Sequence, residues 1–229
     1  MLNLSPVEAR VLGSLIEKEI TTPEYYPLSL NALINACNQK SSREPVMELA
    51  EPEVRGALFE LENIGLVRVI HDSRATKFEH LAYHKLDLRR PEIAVIGLLL
   101  LRGAQTPAEL RARSERLYSF DDTNAVTDVL SRLAAREQPL VLLLGRQPGA
   151  REARWAHLLS GPVDTAAAAS PAHLAAAPVQ DERTTALEAR VQEQEAQLQT
   201  LTERLQTLET SLATLESRFS ALSTELTGA

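Results

Sequence analysis

The chain has 229 residues, enough for one large domain or for two small ones with an appendage. Its apolar share of 44% can fill a core, but only 4% is aromatic, so packing falls to leucine, valine, isoleucine and alanine. A net charge of −7 excludes whole-surface attraction to nucleic acid, and a single cysteine excludes an intrachain disulfide.

The charge is unevenly spread. Residues 1–162 hold 20 Lys+Arg against 21 Asp+Glu, whereas 163–229 hold 4 against 10. Polar and charged residues begin almost at once (Glu8, Arg10, Glu17, Lys18), which is unlike a secretory signal. The longest apolar run, 96–101, is far shorter than the ~20 residues a bilayer span needs. A cytoplasmic location without membrane insertion is the expectation.

In chain order, Ser5-Pro6-Val7-Glu8 is a capping box with proline at the first helical position. Val7, Val11, Leu12, Leu15 and Ile16 continue it as an amphipathic helix, which Thr21 to Pro27 breaks. Leu30, Leu33, Ile34 and Cys37 mark a second helix. Glu51-Pro52-Glu53 opens a third helix over 51–64, with Val54, Ala57, Leu58 and Leu61 inside and Gly65 at its end. Leu66–Ile70 and Thr76–Leu81 read as a hairpin around Asp72-Ser73-Arg74-Ala75.

The plan then repeats. A helix runs through the apolar stretch 93–101 to Gly103, and Thr106-Pro107-Ala108-Glu109 is a second capping box. Asp121 or Asp122 caps a helix carrying Val126, Val129, Leu130 and Leu133. Leu140–Leu144 and Ala153–Leu159 are strand candidates around a Pro-Gly turn. The 93–101 helix is apolar nearly all round, so it needs cover from another domain or subunit.

Residues 161–182 lose periodicity, gain alanine and carry Pro162, Pro171 and Pro178, a linker composition. From Leu187 a heptad pattern holds for more than five repeats. Its seam includes Leu198, Leu201, Leu205, Leu208, Leu212, Leu215, Phe219 and Leu222. In a parallel pair, Arg190 would face Glu195 and Arg204 would face Glu209 of the other copy. These eight seam residues are the oligomerisation candidates, with a dimer favoured and strand number left open.

The resulting expectation is a mainly α protein with small β-hairpins, of α+β class. It comprises a winged-helix domain at 1–87, a second at 88–160, an Ala/Pro-rich linker at 161–182 and a coiled coil at 183–229.

The stretches Leu-Ser-Pro-Val-Glu-Ala-Arg-Val-Leu-Gly-Ser-Leu-Ile-Glu-Lys-Glu (4–19), Thr-Pro-Glu-Tyr-Tyr-Pro-Leu-Ser-Leu-Asn-Ala-Leu (22–33) and Ala-Cys-Asn-Gln-Lys-Ser-Ser-Arg-Glu-Pro-Val-Met (36–47) carry a resemblance. Over residues 4–160 the sequence resembles the YceH-like family of bacterial proteins. The resemblance implies two winged-helix domains and dimers, and supplies no reaction or ligand.

No nucleophile elbow, phosphate-binding glycine loop or zincin motif occurs. Cys37 sits on an apolar helix face and reads as packing. His71, His80 and His84 read as a hydrated wing surface, and no metal or cofactor is expected. The protein is therefore expected not to be an enzyme.

A winged helix ordinarily sends its third helix into the major groove. Here that helix carries Glu51, Glu53, Glu60 and Glu62 against Arg55 alone. Its flanks are more favourable. Asn38, Gln39, Lys40, Ser41, Ser42 and Arg43 precede it, and Arg74 and Lys77 mark the wing; with Arg55 these are the DNA-binding candidates. The leading expectation is DNA-linked regulation by an oligomer. The alternative is a protein–protein assembly scaffold that uses winged-helix modules without direct DNA contact.

Overall fold

A computed structural model describes residues 2–71, 76–146 and 152–161, which fall within one compact unit. Arg74, the linker and the whole heptad seam, Leu198 to Leu222, lie outside the described residues. Among the described residues the fold is mixed α+β, with seven α-helices and two small antiparallel sheets.

Helix α1 (Pro6–Thr21) starts at the expected box: Glu8 N–H donates to Ser5 Oγ at 3.3 Å, and Ser5 N–H to Glu8 Oε2 at 3.1 Å. At its other end the Thr21 and Thr22 hydroxyls fold back to donate to the carbonyls of Glu17 and Lys18, the latter also accepting from the Thr22 N–H at 3.0 Å. Strand β1 (Leu28–Ser29) leads into α2 (Leu30–Cys37), then α3 (Glu51–Asn63), where the Ala50 N–H donates to Glu53 Oε2 at 2.8 Å. Gly65, at φ +74°, takes the left-handed turn after α3 that a side chain would resist.

Strands β2 (Val67–His71) and β3 (Thr76–His80) form the hairpin. β1 pairs on the far side of β3, placing Leu28 opposite Phe78. After the short α4 (Ala82–Lys85) come α5 (Arg90–Arg102), α6 (Pro107–Ser114) and α7 (Thr123–Ala134), then β4 (Val141–Leu143) paired with β5 (Trp155–His157). Of the two cap candidates for α7 it is Asp122 that serves, its Oδ1 accepting from Ala125 N–H at 2.8 Å.

β2 keeps its expected length one residue further on, β3, β4 and β5 are shorter than the apolar patterns suggested, and α5 starts three residues earlier. The early start follows from Glu92, whose Oε2 accepts from the Arg89 N–H at 2.8 Å, with Pro91 in the first turn. β1 and α4 carry no sequence signal, since two and four residues are too few for a period to register.

Every residue of α5 from Ile93 to Leu101 is buried. The cover comes from within the chain: α1 packs on one side and α6, α7 and β5 on the others, so one apolar core runs through both halves. Two glycines allow α1 and α5 to close up. A Cβ on Gly13 would stand 2.9 Å from Leu101 Cγ, and one on Gly97 would stand 2.9 Å from Ile16 Cγ2. The N-terminal strap closes the same body, with Leu4 N–H donating to the Leu159 carbonyl at 2.8 Å.

This crossing makes a direct prediction. Gly97→Val overfills a packed seam and should lower stability by about 1–3 kcal/mol, read as a lower melting temperature of the full chain. Gly56→Ala, in the middle of α3 with nothing within 4 Å of the new Cβ, should instead stabilise by about 0.5–1 kcal/mol. Equal melting shifts for the two variants would disprove the close crossing.

Candidate functional site

The segment between α2 and α3 folds back on itself instead of projecting. The Asn38 side chain clamps its two ends: Nδ2 donates to the Leu49 carbonyl at 2.9 Å and Oδ1 accepts from Leu49 N–H at 2.8 Å. Arg43 turns inward, and its side chain is 0% exposed. Its Nε donates to the Ala36 carbonyl at 3.0 Å, and its guanidinium forks onto Glu17, at 3.1 Å to Oε1 and 2.5 Å to Oε2.

Beneath it lies Arg10, also buried, donating to the carbonyls of Cys37 at 3.1 Å and Pro45 at 2.6 Å. Burial and then the nearby Arg43 charge lower the affinity of Arg10 for its proton. On the outer side, Ser42 sits at φ +60° and its hydroxyl accepts from Arg102 at 2.7 Å, while Glu44 N–H donates to the Leu101 carbonyl. The loop is thus riveted to α1, α2 and the end of α5.

These contacts correct the expected reading edge. Arg43 is a structural cation, because a guanidinium bonded in a fork to a carboxylate and to a carbonyl has no face left for phosphate. Asn38 spends both ends of its amide on Leu49 and has none for an adenine edge. The remaining candidates are weaker. Gln39 and Lys77 are partly exposed, and Lys40, Ser41 and Ser42 are exposed. Arg55, exposed on α3, donates to Glu51 at 2.8 Å, one turn away.

The riveted loop delivers the chain to α3, whose outward face is the most distinctive surface of this half. Val54, Ala57, Leu58 and Leu61 point into the core. At 100° per residue the opposite side is a stripe of Pro52, Gly56, Phe59 and Asn63. Glu51, Arg55 and Glu62 line one flank of it and Glu53 and Glu60 the other. Phe59 is 61% exposed, the largest side chain on that face. Its sequence signal was available: Phe59 falls off the Val54–Leu61 period.

Residues 4–150 match the family described as "Protein of unknown function, DUF480". The chain belongs to the DUF480 family. It is similar to the UPF0502 protein of Koribacter versatilis, at 56% identity over 164 residues, 71% of this chain and 76% of that one. The UPF0502 protein of Aeromonas hydrophila is 51% identical over 199 residues, 83% of this chain and 91% of the relative. That of Geotalea daltonii is 53% identical over 171 residues, 74% and 78% of the two chains. The YceH-like resemblance seen in residues 4–47 agrees with this membership.

The other candidate chemistry of this DUF480 chain resolves into structure. Cys37 is fully buried, and burial pushes its thiol up. His80 is a correction: it does not lie on a hydrated wing but is buried behind α1. Its Nδ1 accepts from Ala82 N–H, so Nε2 carries the proton and donates to Glu19 at 2.8 Å. The phenol of Tyr26 accepts from His80 N–H at 2.7 Å, and burial pushes that phenol up. His71 and His84 are exposed. Among the described residues no three His, Cys, Asp or Glu side chains converge, and no helix is long and apolar enough to cross a membrane.

Several arginines of the second half are engaged within the chain. Arg102 reaches Ser42, Arg111 the Asp121 carbonyl at 3.0 Å, and Arg113 the buried Gln105 at 2.7 Å. Arg154 forks onto Glu109 at 2.9 Å, bracing α6 against the β4–β5 hairpin. On the hairpin of the first half, Arg68 pairs with Glu79 across β2 and β3.

Proposed function

We propose that this chain is a non-enzymatic tandem winged-helix assembly protein, and that its first half docks protein, not DNA. The order of three helices and a β-hairpin, α1–α2–α3–β2–β3 and again α5–α6–α7–β4–β5, supports the tandem winged-helix description. The heptad seam at Leu198, Leu201, Leu205, Leu208, Leu212, Leu215, Phe219 and Leu222 supports joining of copies into a homo-oligomer.

The observation that carries the docking reading is the outward face of α3. A third helix placed in a major groove would bring Glu51, Glu53, Glu60 and Glu62 against phosphates, with Arg55 already neutralised by Glu51. An exposed aromatic ring in a charged rim is the composition of a protein-binding patch.

The DNA reading keeps two favourable observations. Residues 88–160 hold 11 Arg against 8 Asp+Glu, and Gln39, Lys40, Ser41 and Lys77 remain accessible to some degree. Titrating the full chain with random duplex DNA decides between the two readings. At ~50 mM salt, where the electrostatic contribution is strong, no binding is expected, and Lys40→Glu should change nothing. Affinity that falls steeply with log salt and drops again in Lys40→Glu would overturn the protein-docking proposal.

A further inference from the structure

From the stripe on α3 we infer the chemistry of the partner: a basic, amphipathic protein segment from outside this chain that packs one large apolar side chain against Phe59. This rests on the protein-docking reading. Three features of the face define the occupant.

Phe59 projects from the middle of the stripe with 61% of its surface exposed. One turn before it, Gly56 has nothing within 4 Å of where a Cβ would stand. A ring beside a missing side chain makes a step on the helix surface, against which a side chain from a second helix can lie. The glutamates on both flanks then set the sign of the partner. Glu60 and Glu62 are exposed and, with Glu51 and Glu53, leave the rim strongly acidic even after Arg55 is counted.

The same charges exclude the nearest alternatives. The chain's own residues 163–229 hold 10 Asp+Glu against 4 Lys+Arg, so they would be repelled. A second copy meeting this face about a two-fold axis would bring α3 against α3, glutamates against glutamates. Duplex DNA is repelled for the same reason. Lysines and arginines flanking a leucine or aromatic residue complement the patch in charge and shape.

The test uses the full chain and a synthetic amphipathic peptide of lysine and leucine, followed by fluorescence anisotropy, with a glutamate–leucine peptide as counterpart. The cationic peptide should bind and the anionic one should not. Phe59→Ala should weaken binding at least tenfold at every salt concentration. Glu60→Gln/Glu62→Gln should weaken it at low salt and flatten its salt dependence. Glu24→Gln/Glu137→Gln removes the same charge from exposed positions off the face and should leave binding unchanged.

All these side chains are exposed, so the variants should melt like the parent. Binding that survives Phe59→Ala, or falls equally in the Glu24/Glu137 control, overturns the proposal. So does absence of binding. Loss of oligomeric mass in Phe59→Ala assigns the face to a second copy and likewise overturns it. Failure of the peptide with DNA also silent sinks this inference alone; DNA binding lost in Lys40→Glu sinks the docking reading beneath it.

Discussion

Arg43→Ala should lower the stability of the full chain by about 3 kcal/mol, at the lower end of the cost of breaking a buried ion pair. The loss has three parts. Glu17, 14% exposed, loses its forked partner, and Lys18 at 3.8 Å is the ion pair it retains among the described residues. The Ala36 carbonyl loses its donor, and the loop that starts α3 loses its anchor to α1. Arg43→Lys retains the charge but not the fork or the Nε bond, so it should recover only part of the loss. Glu17→Gln in the Arg43→Ala background removes the stranded carboxylate and should regain stability, a coupling that urea titrations of the four proteins would measure. A full-strength Arg43→Ala variant would show that the latch contributes nothing.

That latch also shows where sequence reading stops. The helix starts at Ser5 and Thr106 are legible because both partners of a capping box lie within four residues of each other. The burial of α5 is legible because nine consecutive positions from Ile93 carry no polar group. Arg43 is different. In sequence it belongs to a polar run between two helices, and its partner Glu17 is 26 residues away. Nothing local marks a cation that will face inward. Asn38 and Leu49, and His80 and Glu19, are hidden for the same reason. The α3 face lies between these cases: its acidity is plain from the sequence, whereas the exposure of Phe59 follows only once the buried period is fixed.

Acid should weaken the fold before most carboxylates titrate, and His157 is the cause. It lies in β5 opposite Val141, with a buried Nδ1 that has no hydrogen-bond partner among the described residues, and burial alone lowers its pKa from 6.5 to about 4. Between those values the unfolded chain binds a proton that the folded chain refuses. Stability is therefore fully present above 6.5, falls as the pH drops toward about 4, and loses no more to this group below that. The gap corresponds to up to about 3 kcal/mol.

His157→Phe keeps a flat ring without a titrating nitrogen and should flatten the profile across that window. Glu109 acts lower. Burial pushes its carboxyl up, but the Thr106 N–H and Arg154 outweigh burial and hold it below the usual range. Its contribution is present above the ordinary carboxylate value and is lost only as the pH falls through its depressed one. Urea titrations at several pH values separate the two. Parallel profiles for His157→Phe and the parent would refute the assignment.

The crossing of α1 and α5 at Gly13 and Gly97 has a mechanical meaning. Because a single core spans both halves, the spacing of α3 from α7 is fixed through α1 and α5, whose approach the glycine-to-side-chain contacts set. A partner that touches both helices must already match that span. When it does, the second contact is made without further loss of freedom, and when it does not, the second helix adds nothing. A methyl group at Gly97 would push against Ile16 and so alter the distance between α3 and α7 while leaving the outward face of each helix as it is.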